Sequence, residues 1–286
     1  MARKKVNILS LQQKKEQGRP ITMVTAYDYP SALMVDEAEI DVVLVGDSLG
    51  MVMLGYDSTV AVTMEEMLHH CRAVARGAKY AFLIGDMPFM SYQTGTRDAI
   101  YNAGRFLKEA NMESVKLEGG REVAETVSAI VNAGIPVLGH IGLTPQSVSK
   151  LGGWRVQGKT AVDAQRLLDD ALALEDAGCF ALVLEAVPAS VASAISQRLT
   201  IPTLGIGAGA GCNGQVLVYH DILGLYDRLS PRFVRNYANL RQTIVDAFVA
   251  YREDVLNGRF PAEEHCYPMD ENEERSFLET LSAQEK

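Results

Sequence analysis

Short, continuously apolar runs rich in β-branched residues recur along the chain, each closed by Gly, Pro or an acid and followed by polar or helical sequence. Eight such runs predict strands: ITMVTAYD from Ile21, VVLVGD from Val42, YAFLIGDMP from Tyr80, SVKLEGG from Ser114, PVLGHIGLTP from Pro136, CFALVLEAVP from Cys179, PTLGIGAG from Pro202 and GQVLVYHDILGL from Gly214. Most are apolar throughout rather than alternating, as expected of strands covered on both faces in a parallel sheet. Stretches of helical period separate several of them, among them TMEEMLHHCRAVARGA, RDAIYNAGRFLKEAN, REVAETVSAIVNAG and AVDAQRLLDDALALEDAG. Three of these end in a small residue plus Gly or Asn, a helix-stop signal. Eight strand–loop–helix repeats with right-handed crossovers and no second domain argue for a closed (β/α)8 barrel, with a doubly wound sheet as the alternative.

Two regions depart from this rhythm and set the expected boundaries. Residues 1–19 read as a basic amphipathic leader able to cap the bottom of the barrel. Residues 20–268 read as a single barrel domain with C-terminal helices, including a helical segment from about Ser230 to Asn257. Residues 269–286 read as an acidic tail that adds nothing to the fold.

Composition narrows the class. The 286 residues carry 27 basic and 36 acidic side chains, a formal net charge of −9, which excludes a basic nucleic-acid binder. With 48% hydrophobic and 22% charged residues the chain is an ordinary globular mix rather than a disordered one. No apolar run approaches the roughly 20 residues of a membrane span, and the start MARKKVNILSLQQKKEQG lacks the apolar stretch of an export signal. Cys71, Cys179, Cys212 and Cys266 form neither a CxxC pair nor a disulfide framework, which fits reduced thiols in the cytoplasm.

Charged residues fall where the strands end: Asp47, Asp86, Lys116 with Glu118, His140 and Glu185. In a barrel these ends converge on the face that carries the active site. Asp is also a good turn residue and helix cap, which taken singly explains Asp47 or Asp86. Lys116 and Glu118, two apart on one strand, point to the same face, and burying so many charges without partners is very costly. Asp47, Asp86 and Glu118 offer only oxygen ligands, which suits a hard ion such as Mg²⁺ better than zinc. Such an ion keeps positions open for the oxygens of a 2-oxo acid and stabilises the enolate formed when a neighbouring C–H is deprotonated. Glu185 is then free to be the base.

At these residues the sequence resembles the ketopantoate hydroxymethyltransferase family, also called 3-methyl-2-oxobutanoate hydroxymethyltransferase. The matching stretches are ITMVTAYDYPSA, VLVGDSLGMVMLGYDSTVAVTMEEMLHHCRAVARG, IGDMPFMSYQ, VKLEGG, GHIGLTPQSV, GGWRVQGKT, LVLEAVP and TLGIGAGAGCNGQVLVYHDILGL, spread over roughly residues 5–268. The resemblance implies a (β/α)8 barrel that transfers a one-carbon unit from 5,10-methylenetetrahydrofolate to 3-methyl-2-oxobutanoate, giving 2-dehydropantoate, the committed step toward pantothenate and coenzyme A. It implies that Asp47 and Asp86 ligate Mg²⁺, with Glu118 the third acid around the ion, and that Ser48 and Lys116 hold the substrate carboxylate. Glu185 is then the proton acceptor and His140 an active-site histidine. The partners implied are small-molecule substrates and further copies of the chain in a homodecamer.

Blander readings stand beside these. Lys116 could merely pair with Glu118, Ser48 could be a cap, and His140 a satisfied core histidine; His69, His70, His220 and His265 read as structural or surface residues. Gly209, Gly211 and Gly214 form a GxGxxG pattern, but a strand rather than a helix should follow, so a dinucleotide site is rejected; the glycines line the donor side or only turn the chain. Tyr29, Met51, Met53 and Trp154 could flank a pterin, although core packing is the commoner use of methionine. The competing enzyme class is the phosphoenolpyruvate mutase and isocitrate lyase type, whose KKCGH-like loop is missing here. A barrel retained only as a folate- or keto-acid-binding scaffold is disfavoured by the intact Asp47, Asp86, Glu118 and Glu185, because a binder needs no unpaired base.

Overall fold

The computed structural model describes residues 3–226 and 231–284. Residues 1 and 2 of the expected leader, Ser230 at the start of the expected helical segment, and residues 285 and 286 of the tail lie outside the described residues. The chain forms two compact units, one reaching to Ala238 and one beginning at Asn239.

The first unit is a closed barrel of eight parallel strands in sequential order. They are β1 (Ile21–Thr25), β2 (Val42–Val45), β3 (Phe82–Asp86), β4 (Ser114–Glu118), β5 (Val137–Gly142), β6 (Ala181–Glu185), β7 (Thr203–Ile206) and β8 (Gly214–Leu217), the last pairing back onto β1. The helices are α1 (Ile8–Glu16), α2 (Tyr29–Glu37), α3 (Leu49–Val52), α4 (Met64–Gly77), α5 (Thr96–Ala110), α6 (Ala124–Asn132), α7 (Ala161–Asp176), α8 (Ala189–Arg198) and α9 (Tyr219–Leu223). All eight expected strands are present, and the fold is the (β/α)8 barrel rather than the doubly wound sheet. The run GQVLVYHDILGL divides, however: its strand stops at Leu217 and YHDIL is helical. Tyr219 N donates to the Thr25 hydroxyl at 2.8 Å, which turns the chain off the sheet there.

Side chains alternate inward and outward along each strand. The inward row fills the lower barrel with one apolar cluster, including Ile21, Met23, Val42, Leu44, Phe82, Ile84, Leu138, Ala181, Val183, Leu204 and Val216. Outward residues such as Val43, Val45, Leu83, Val115, Leu117, Leu182 and Leu184 form a second cluster beneath the helices. Leu11 of α1 belongs to the inner cluster and is 2% exposed. Flanking lysines fix α1 at the N-terminal ends of the strands: Lys14 Nζ meets Asp41 at 2.6 Å, and Lys15 Nζ donates to the carbonyls of Ser196, Leu199 and Ile201.

Residues 231–239 are not helical, unlike the sequence expectation for Arg232 and Tyr237. Their backbone is spent on α9 instead: Tyr237 N donates to Ile222 O at 2.8 Å and Asn236 Nδ2 to Asp221 O at 2.6 Å. The second unit contains α10 (Leu240–Leu256) and α11 (Glu271–Gln284). The sequence reading instead ran the barrel domain on to residue 268 and gave Glu271–Gln284 to a tail.

Candidate active site

The same alternation that packs the barrel floor builds its mouth. On β3 the inward row runs Phe82, Ile84, Asp86; on β4 Ser114, Lys116, Glu118; on β5 Leu138, His140; on β6 Ala181, Val183, Glu185. Cross-strand register sets Lys116 beside Asp86 and His140 beside Glu118. Asp47 lies just past β2 and is aimed by the backbone, since its own N–H donates to Asp86 Oδ2 at 3.0 Å. A cavity of about 150 Å³ opens at this end, and Asp47, Ser48, Asp86, Lys116, Glu118, His140 and Glu185 all line it. Every site residue expected from the sequence is thus brought to one place.

Four carboxylates here face one ammonium and one imidazole. Lys116 Nζ lies 2.9 Å from Asp86 Oδ1, 3.5 Å from Glu118 Oε1 and 3.3 Å from His140 Nδ1. His140 Nδ1 is 3.3 Å from Glu118 Oε1, and its Nε2 is 3.3 Å from Glu185 Oε2. Burial, then Asp86 and Glu118, push the Asp47 carboxyl well above its usual range. Burial also raises Asp86, with Lys116 opposing and Glu118 adding to it. Glu118 goes the other way: burial disfavours its charge, but Lys116 and His140 outweigh that and lower it. Burial works against the Lys116 ammonium too, yet Asp86, Glu118 and Asp47 keep it charged. Burial and Lys116 oppose protonation of His140, and contact with Glu118 and Glu185 overcomes both, lifting it to about 9.

Two residues that the sequence reading did not single out organise the acids. Gln146, in the short turn after β5 (Pro145–Ser147), donates from Nε2 to Asp47 Oδ2 and to Met87 O, both at 2.9 Å, and from its backbone N to Glu118 Oε2 at 3.0 Å. Tyr92 OH donates to Gln146 Oε1 at 2.7 Å and receives Glu118 N at 3.2 Å. Tyr27 OH contacts Ser48 Oγ at 2.9 Å. The only signal for Gln146 and Tyr92 is their place in the loops that follow β5 and β3.

The donor set bears on a cation. Among the described residues no three His, Cys, Asp or Glu side chains form a closed metal cage. A hard ion such as Mg²⁺ needs none, because it uses one or two carboxylates and keeps its other positions for substrate and water. Asp47 and Asp86 fit that pattern. Both are buried with raised pKa values, and Asp86 Oδ1 makes no hydrogen bond, its nearest partner being the Lys116 ammonium. Both Glu118 oxygens are already engaged, with Lys116 and His140 on one side and Gln146 N on the other.

The glycine run is structural. Gly207 has φ +63°, and a Cβ there would sit 2.6 Å from the Phe233 ring, so glycine is required by both the backbone and the close approach. Gly209 and Gly211 pack against Ala189 and Ser193 of α8, and strand β8 follows the run. Of the four residues considered for a pterin, Met51 and Trp154 line the cavity, whereas Tyr29 opens α2 and Met53 closes α3.

A closed barrel whose mouth gathers buried acids, a lysine and a histidine around a small cavity is the arrangement of a (β/α)8-barrel enzyme acting on a small substrate. The chain belongs to the ketopantoate hydroxymethyltransferase family, whose model matches residues 5–263. It is 60% identical to the 3-methyl-2-oxobutanoate hydroxymethyltransferase of Carboxydothermus hydrogenoformans over 93% of this chain and 96% of that one. It is 58% identical to that of Moorella thermoacetica over 93% and 98%. The protein is a hydroxymethyltransferase acting on 3-methyl-2-oxobutanoate. Among solved structures the fold is similar to phosphonopyruvate hydrolase (TM-score 0.60, 14% identity, 97% of each chain). It is also similar to the phosphoenolpyruvate phosphomutase of Streptomyces platensis (TM-score 0.59, 16% identity, 98% of each). Those likenesses concern architecture alone. No helix among the described residues is long and apolar enough to cross a membrane.

Proposed function

We propose that the chain transfers the one-carbon unit of 5,10-methylenetetrahydrofolate to C3 of 3-methyl-2-oxobutanoate, giving 2-dehydropantoate and tetrahydrofolate as the committed step toward pantothenate. The observation that carries this reading is the convergence of Asp47, Asp86, Lys116, His140 and Glu185 on one cavity. A divalent cation, Mg²⁺ in our reading, would be held by Asp47 and Asp86, with Glu118 behind them; when bound it supplies Lewis-acid stabilisation of negative charge on the keto oxygen.

The remaining roles belong to the chain. Lys116 is a buried cation and Ser48 a hydroxyl at the cavity wall, and the two hold the substrate carboxylate. Glu185, at the end of β6, removes the C3 proton; its carboxylate faces the cavity and has His140 Nε2 as its close neighbour at 3.3 Å. His140 orients Glu185 and offsets its charge. Gln146 and Tyr92 fix the acids and exclude water from behind them. The electron pair left by the proton attacks the donor's methylene carbon as one of its two C–N bonds breaks, and water then displaces the second nitrogen, supplying the hydroxyl of 2-dehydropantoate while the protons from C3 and from water end on the two nitrogens of tetrahydrofolate.

A cytoplasmic location and a homodecamer belong to the same reading. The exposed Phe248 and Tyr251 of α10 support contact between copies, and sedimentation equilibrium measures the copy number. The activity is tested by assaying 2-dehydropantoate formation from both substrates with and without chelator. Product that requires methylenetetrahydrofolate and disappears with chelation is expected; product formation indifferent to chelation contradicts the mechanism.

A further inference from the structure

The cavity has two chemically different sides. Its acids and bases come from the arc β2 to β6. The arc β7–β8–β1 and the segment after it contribute Thr25, Ile206, Val216, Val218, Tyr226, Pro231 and Phe233, and among the described residues the single charge on that side is Asp221 of α9. The keto acid engages the charged arc, so the apolar and aromatic arc is left for the second substrate. Pockets for flat heteroaromatic groups are built this way, from apolar walls with one or two placed polar groups.

Asp221 is held firmly. Tyr219 N is tied to Thr25 Oγ1, Asn236 Nδ2 donates to Asp221 O, and Tyr237 N donates to Ile222 O, which fastens α9 between β1 and the segment carrying Phe233. Phe233 in turn packs against Gly207 at the end of β7. Yet the carboxylate itself makes no hydrogen bond or ion pair with any described residue. Burial raises it, to about 6, with no cation or donor among the described residues opposing. A positioned, partly buried acceptor with nothing to accept from is incomplete without a ligand that brings donors.

We propose that Asp221 is the recognition group for the one-carbon carrier, accepting hydrogen bonds from the adjacent ring N–H and amino group of its pterin, with Tyr226 and Phe233 beside the ring. Two parallel donors on a flat ring match the two oxygens of a carboxylate. The assignment rests on the methylenetetrahydrofolate reading above and adds the residue that selects the carrier.

The test is calorimetric titration of wild-type protein and Asp221→Asn with tetrahydrofolate and with its 2-desamino analogue. Asp221→Asn is expected to weaken tetrahydrofolate about ten- to a hundred-fold, the range of a lost charge-assisted hydrogen bond. The analogue keeps the ring N–H and lacks the amino donor, so it should bind wild-type protein more weakly than tetrahydrofolate and lose less than tetrahydrofolate does on the substitution. Solvent exchange of the keto acid's C3 proton, followed without folate, reports the other arc and should stay at the wild-type rate in Asp221→Asn. Wild-type affinity for tetrahydrofolate in Asp221→Asn overturns the assignment, as does equal weakening of both ligands. If the variant fails to fold, equal binding of tetrahydrofolate and its analogue by wild-type protein overturns it by itself. Wild-type protein that ignores tetrahydrofolate altogether removes the donor reading, and this assignment with it.

Discussion

Replacing Glu185 by Gln isolates the proposed base. The substitution keeps volume and shape, leaves the backbone bond from Leu143 N to Glu185 O (2.9 Å) in place, and removes only the ability to take a proton. A positioned general base contributes about 100- to 10,000-fold, or about 2.7 to 5.5 kcal/mol of barrier. Glu185 touches neither Asp47 nor Asp86 through any hydrogen bond, so the groups proposed to hold cation and keto acid stay as they are. Among the described residues its one charged partner is His140, which loses one of the two carboxylates that keep its pKa near 9 while retaining Glu118. The assay is proton NMR of 3-methyl-2-oxobutanoate in D₂O with Mg²⁺ and no folate, following loss of the C3–H signal. Exchange should fall by at least about 100-fold while calorimetric keto-acid affinity holds. Exchange at the wild-type rate would refute the role of Glu185, and a parallel loss of affinity would make it a binding group instead.

Asp86→Ala should weaken Mg²⁺-dependent keto-acid binding; calorimetry showing the same affinity with and without the substitution would take Asp86 out of the cation site. Gln146→Ala removes the donor to Asp47 Oδ2 and leaves buried acceptors unmet, so a loss of about 1 to 3 kcal/mol in denaturant unfolding is expected, together with lower activity. Leu11→Ala opens the floor of the barrel and should cost about 2 to 5 kcal/mol, while its distance from the mouth leaves KM for the keto acid unchanged; a shifted KM would contradict that separation. Asp36 accepts from the backbone N–H groups of Lys79, Tyr80 and Ala81, and although burial opposes its charge these bonds lower its pKa in the folded state. Its stabilising contribution is therefore complete above the unfolded-state value of about 3.9 and lost as pH falls through the lower folded value, so Asp36→Asn should flatten the acid limb of stability against pH.

Much of this was legible in the sequence because a barrel strand has a strict period of two. Asp86, Lys116, Glu118, His140 and Glu185 continue the inward row begun by Ile84, Ser114, Leu138 and Val183, so strand runs ending in charge were enough to find them. Asp47 sits off that period, two residues beyond the strand, and is brought in by its backbone bond to Asp86. What escaped notice was carried by turns. Gln146 works from a three-residue turn with no periodicity to read, and Asp221 was hidden because Val218 and Tyr219 continue a strand-like run past the true end of β8. The helix expected from Ser230 failed for a related reason, since helical spacing of Arg232 and Tyr237 cannot reveal that Ile222 and Asp221 claim that segment's hydrogen bonds.

The period of two also ties the chemistry to the stability of the barrel. A slip of one residue in β4 would turn Val115 and Leu117 into the mouth and send Lys116 and Glu118 under the helices, where neither charge has a partner. The mouth itself favours no such order: Asp47 and Asp86 are buried against their own preference for water and against each other. Register must therefore be imposed from below, by the apolar inward layers and by Leu11 closing them. Substitutions in that floor that preserve volume should leave the acids in place, whereas those that let a strand shift should abolish activity before they unfold the protein.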